Sequence, residues 1–168
     1  IYEQVRTITG SKSNDTLYGH DDQENILRGL EGDDRIYGRV GNDLLYGDSG
    51  NDILEGGNGN DTLIGGQGSD TLRGGYGDDL YIFNKGDGVD YIEDYEGNDT
   101  IQFGEGITLK DLKFFRYDSS GKSLRIAVGD NGDAISIANY FNDGSYSRPT
   151  DTFKVEKFLL SDGTVIDS

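Results

Sequence analysis

Large apolar side chains recur on a nine-residue beat through the middle of the chain: Ile36, Leu45, Leu54, Leu63, Leu72 and Tyr81. Two residues before each stands an aspartate (Asp34, Asp43, Asp52, Asp61, Asp70, Asp79), and two before that a glycine (Gly32, Gly41, Gly50, Gly59, Gly68, Gly77). Six successive units, from GLEGDDRIY to GGYGDDLYI, keep all three offsets between Gly29 and Ile82. A short fixed period dictates a repeat architecture. Each unit reads as six turn-like residues and three extended ones. The middle extended residue is large and apolar in every unit, so it faces inward while its neighbours on either side face outward. Turns rich in glycine reach φ > 0 and expose their carbonyl oxygens. Stacking such units predicts an all-β chain built as a parallel β-solenoid. If two repeats complete one coil, Asp34 lies on Asp52, Asp43 on Asp61, Asp52 on Asp70 and Asp61 on Asp79.

The beat weakens at both ends. Residues 1–9 are a short lead that predicts a strand capping the first repeat. Gly10–Tyr18 is a degenerate unit with Asp15 and Leu17. The next unit has ten residues and carries Asn25 where an aspartate is expected, which predicts a weaker metal site there. After Ile82 the beat resumes at Asp90 and Asp99, with two residues inserted before Asp90. From about Gly104 glycine thins and aromatics appear, among them Phe114, Phe115, Tyr117, Tyr140, Phe141, Tyr146, Phe153 and Phe158. Alternation in SLRIAV, AISIANYF and FKVEKFLL predicts strands between turns at SSGK, GDNGD and SDGT, and Ile107–Leu112 predicts a single helical turn. Residues 10–103 are thus expected to form the repeat solenoid, and 104–168 an antiparallel β-rich cap with a modest core of its own.

Charge sharpens the picture. The chain carries a formal net charge of −17, which argues against a nucleic-acid partner. Residues 10–103 hold 21 acids and 6 bases, a net of −15, together with 20 of the 27 glycines. Such a segment resists compaction by self-repulsion and by the backbone entropy of glycine. One inward aliphatic side chain per unit contributes about 1.5–3 kcal/mol. Ordering the backbone costs about 1–2 kcal/mol for every residue, so the core alone does not hold the array together. Two stacked carboxylates about 5 Å apart repel by about 3 kcal/mol at an effective dielectric of ~20. A hard cation between them reverses that sign, and turn carbonyls supply an all-oxygen shell suited to calcium. Magnesium demands a tighter octahedron than flexible turns provide. Zinc lacks its usual ligands, because the chain has one histidine and no cysteine.

Gly56–Ile64 (GGNGNDTLI) and Gly65–Arg73 (GGQGSDTLR) match every fixed position of the pattern GGxGxDxUx. The chain therefore resembles the RTX, or haemolysin-type, calcium-binding nonapeptide repeats. DDLYIFNKGDGVDYIEDYEGNDTIQF resembles the way such arrays end, and the later strands resemble the β-rich flank that follows, so the likeness spans residues 10–168. The resemblance implies a right-handed parallel β-roll and about four to seven calcium ions, each held by two turns on one edge. It implies a site of Asp61 with the carbonyls of Gly57 and Gly59, and Asp79 with those of Gly74 and Tyr76. It implies another of Asp52, Asp48 and Gly50 with Asp70, Gly65 and Gln67. Two more pair Asp43 (Arg39, Gly41) with Asp61 (Gly56, Asn58), and Asp34 (Leu30, Gly32) with Asp52 (Gly47, Ser49). Gly66, Gly68, Gly75 and Gly77 extend the same ligand set, and Asp90 and Asp99 are its less regular end members. Leu30, Arg39 and Asp48 stand where the repeat prefers glycine, which keeps the carbonyl and puts only the backbone under strain.

Other motifs carry less. The NDT sequons at Asn14, Asn60 and Asn98 follow from the repeat wording. His20 reads as an exposed turn residue, DNGD at Asp130–Asp133 as a hairpin turn, and no GxGxxG spacing occurs. HExxH and GxSxG do not occur either, so this stretch brings no protease or lipase centre and is expected to be non-catalytic. The apolar runs, such as Phe158–Leu160, are too short to span a membrane. The chain starts at Ile1 and is expected to be a piece of something longer. The resemblance implies a monomeric module of a secreted bacterial toxin, exoenzyme or adhesin, exported by a type I secretion apparatus and folding when it meets calcium outside. A module that binds a sugar, peptide or host surface remains the alternative.

Overall fold

The computed structural model describes residues 5–21, 23–117, 122–138, 140 and 155–167. Successive strands alternate between two sheets. One is built from β1 (Arg6–Thr9), β3 (Asn25–Glu31), β5 (Leu44–Ser49), β7 (Thr62–Gln67), β9 (Leu80–Phe83) and β11 (Asp99–Phe103). The other is built from β2 (Thr16–Tyr18), β4 (Arg35–Val40), β6 (Ile53–Asn58), β8 (Thr71–Tyr76) and β10 (Val89–Ile92). All of these pair in parallel with the strand two places on, as a two-repeat coil requires.

The register explains the nine-residue beat. Leu27, Leu45, Leu63, Tyr81 and Ile101 stack in one sheet, and Leu17, Ile36, Leu54, Leu72 and Ile92 in the other. Apart from Leu17 these side chains are at most 2% exposed. They form the core between the sheets. Insertions leave the stack intact. The two extra residues before Asp90 are absorbed in a turn where Asp87 Oδ2 accepts the Asn84 N–H at 2.7 Å, and Ile92 still pairs with Leu72.

Two expectations need correction. The pattern predicted three extended residues per unit, yet β4 to β8 each span six. The ladder continues past the bend, with Arg39 opposite Gly57 and Val40 opposite Asn58, because parallel coils in strict register keep even their turn residues in pairing reach. The bend itself needs φ > 0. Leu30 (φ 87°), Arg39 (φ 83°) and Asp48 (φ 74°) adopt it without being glycine, at a cost of about 1–2 kcal/mol each.

The second correction concerns the C-terminal core. A single 3-10 turn, Leu109–Asp111, leads into β12 (Leu112–Tyr117), β13 (Ser123–Val128) and β14 (Ala134–Ile137), which pair antiparallel. β15 (Val155–Leu159) and β16 (Val165–Asp167) form a second antiparallel pair. Yet β14 joins β10, and β15 joins β11, in parallel. Ile137 and Phe158 thereby extend the two apolar stacks, and one buried cluster runs from Leu27 to Leu160. The end strands close the coil stack rather than enclose a separate core.

Candidate metal sites

The bends lie along the two edges of the solenoid, and each places its aspartate in the same setting. On one edge the backbone N–H of Asp34 donates to Asp52 Oδ1, that of Asp52 to Asp70 Oδ1, and that of Asp70 to Asp90 Oδ1 (2.7, 2.8 and 3.2 Å). On the other, Asp43 donates to Asp61, Asp61 to Asp79 and Asp79 to Asp99 (2.7, 2.7 and 2.9 Å). The expected pairs are therefore stacked as the register requires, and Asp90 and Asp99 continue the rows. The rows are flanked by Asp15, whose N–H reaches Asp34 Oδ1, and by Glu156 Oε2, which takes the Asp99 N–H at 2.9 Å. Glu156 lies outside the beat, and no spacing in the sequence points to it.

One oxygen of each carboxylate is thus satisfied. The other is not: Oδ2 of Asp34, Asp43, Asp52, Asp61, Asp70 and Asp79 is buried and has no hydrogen-bond donor. All six residues are at most 2% exposed, and none of them takes part in a described ion pair. A buried anionic oxygen without a partner is strongly unfavourable. Burial, the largest cause, pushes Asp52 up to about 6, Asp61 and Asp70 to about 7, and Asp79, Asp90 and Asp99 to about 8. Neighbouring aspartates add to the rise, while the backbone N–H of the previous coil opposes it.

The surroundings of these oxygens are other oxygens. A Cβ built on Gly56 would clash with both Asp61 Oδ2 and the carbonyl oxygen of Gly74, so the two converge where glycine leaves room. Gly47 stands in the same way against Asp52 Oδ2 and the Gly65 carbonyl, Gly38 against Asp43 and Gly56, and Gly29 against Asp34 and Gly47. The carbonyls of Gly57 and Gly59 face Gly75 and Gly77 of the next coil, and those of Asp48 and Gly50 face Gly66 and Gly68. Arg39 and Gly41 present theirs to Gly57 and Gly59, and Gly32 presents its own to Gly50. The carbonyls of Ser49, Asn58, Gln67 and Tyr76 accept the N–H of Gly32, Gly41, Gly50 and Gly59 at 2.8–3.0 Å and keep a second lone pair. This donor set of carboxylates and carbonyls, without nitrogen or sulfur, fits a hard divalent cation.

Asn25 departs from the rule with a visible cause. Its Nδ2 donates to the carbonyls of His20 and Gln23 and to Asp43 Oδ1, at 3.2, 2.8 and 2.8 Å. A neutral amide here satisfies oxygens of the kind that elsewhere face a bare carboxylate. The aromatics Phe141, Tyr146 and Phe153, singled out from the sequence, lie outside the described residues.

Fold and edge chemistry together define a parallel β-roll of metal-binding nonapeptides. The RTX calcium-binding nonapeptide repeat family matches in four copies, over residues 7–24, 21–54, 55–89 and 86–107. The chain belongs to that family, whose repeats are typical of secreted bacterial proteins and whose repeat domains are generally non-catalytic. Residues 124–168 match the haemolysin-type calcium binding protein related domain. No curated protein matches the chain.

Proposed function

We propose that this chain is a non-catalytic folding module that orders only when calcium enters between its coils, and that it serves the export and stability of a larger secreted protein. The observation that carries this reading is the set of six buried, unpartnered Oδ2 atoms, three along each edge. Bound calcium supplies positive charge between stacked carboxylates. The chain's own part is to hold each Oδ1 on the N–H of the previous coil and so aim Oδ2 at the carbonyls of the next. The ligand sets are those of the four aspartate pairs, with Asp90 and Asp99 closing the rows.

Binding free energy is then folding free energy. Where calcium is scarce the array stays unfolded and threadable through a type I secretion apparatus. Outside, it folds as a monomer onto the closing strands β14 and β15. Limited proteolysis tests this. With chelator, cleavage is expected throughout residues 10–103; with millimolar calcium the same segment is expected to resist. Equal digestion in both conditions contradicts the reading.

A further inference from the structure

We propose that Asp94, outside the nine-residue beat, joins Asp79 and Asp99 to hold one more divalent cation at the closing coil. Their carboxylates bring one oxygen each to within 4.8 Å of the others. All three residues are at most 2% exposed. Asp79 Oδ2 is among the buried oxygens with no donor.

It faces this cluster. A Cβ on Gly74 would meet both Asp79 Oδ2 and the Tyr81 hydroxyl, and that hydroxyl donates to Asp94 Oδ2 at 2.5 Å.

The site is built rather than incidental. Tyr81 occupies the stack position that Leu45 and Leu63 fill in earlier coils, so its longer side chain carries a hydroxyl out of the core to the edge. The Gly74 N–H donates to that hydroxyl at 2.7 Å, which leaves its proton directed at Asp94. Asp94 Oδ1 accepts the N–H of Tyr95 at 2.7 Å and of Gly75 at 3.3 Å. Asp99 Oδ1 accepts the Asp79 N–H. Each carboxylate is fixed through some of its lone pairs and keeps others for a ligand. Tyr81 is a positioning residue, acting through Asp94.

Three carboxylates oppose a divalent charge here, against two in each repeat site, and affinity in oxygen sites rises with ligand charge. This site is therefore expected to be the tightest in the chain. The inference rests on the calcium reading above, and its test separates the two. Crystals of the chain grown with calcium should show an anomalous peak among Asp79, Asp94 and Asp99, besides peaks between the stacked turns. Peaks between the stacked turns with none at the trio overturn this proposal alone. No peak anywhere overturns the calcium reading and this one with it. In calorimetric titration, Asp94→Asn should lose one ion, the tightest, and keep the rest; an unchanged count and affinity overturns the proposal. Where Asp94→Asn does not fold in calcium, diffraction from the unaltered chain decides.

Discussion

The backbone N–H of Asp61 donates to Asp79 Oδ1 at 2.7 Å, one coil further along the chain. The same carboxylate has an Oδ2 that nothing satisfies. One bond therefore fixes the side chain, and its fixed orientation buries a second, bare oxygen. Repeated along both edges, this arrangement buries bare carboxylate oxygens one above another, the liability that calcium is proposed to relieve.

Acidity should substitute in part for calcium. Burial holds Asp52, Asp61, Asp70 and Asp79 at about 6 to about 8, above the value near 4 of an aspartate in an unfolded chain. Over that interval the calcium-free fold binds more protons than the unfolded chain, so its stability is greatest near pH 4 and falls as pH rises toward about 8. In chelator, far-ultraviolet circular dichroism should show β structure increasing from pH 7.5 to about 4.5. Calcium titrated at about pH 5, where the acid-stabilised calcium-free fold carries protonated aspartates, should release protons, seen as a heat that depends on the buffer's ionisation enthalpy. A heat independent of buffer contradicts this assignment.

Asp61 belongs to two of the proposed pairs and Asp34 to one. Asp61→Asn should therefore move the calcium midpoint of folding upward by more than Asp34→Asn does. Either amide keeps an oxygen for the N–H of the previous coil, so the ladder bond survives while a ligand charge is lost. Equal midpoints for the two variants contradict the pairing.

Asn25→Asp should add a site. The amide that now bonds the His20 and Gln23 carbonyls and Asp43 Oδ1 becomes a second carboxylate among those oxygens. Calorimetry should count one more calcium than the unaltered chain binds, and the calcium-free form should be less ordered. An unchanged count means that the ten-residue unit closes this end of the edge for another reason.

The sequence carried the two-repeat coil, the stacked aspartates and the inward Leu and Ile rows, because each depends only on offsets within the beat. It did not carry what depends on pairing across long separations. Ile135 beside Asp90 and Phe158 beside Ile101 unite the end strands with the roll, and no periodic signal links those segments. Asp94 was hidden for a related reason. In the sequence it stands off the nine-residue beat, next to Glu93 and near Glu96, and its burial beside the Tyr81 hydroxyl depends on the closing coil. The six-residue strands were concealed by glycine, which reads as turn although a bend in strict register still pairs.

The apolar stack should contribute independently of the ions. Leu63 is fully buried between Leu45 and Tyr81. Leu63→Ala should destabilise the calcium-bound chain by about 2–5 kcal/mol in denaturant titration and leave the ion count unchanged. A loss of ions on this substitution implies that core and edge are not separable.

Circular dichroism of the chain at pH 7.5, followed from chelator through millimolar calcium, tests the central claim most directly. Chelated protein should give the spectrum of an unfolded chain, and calcium alone should bring up the β signal, with magnesium at the same concentration failing to do so. A full β spectrum in chelator at that pH would mean that the rows of acids can be buried together without an ion, and the account would not stand.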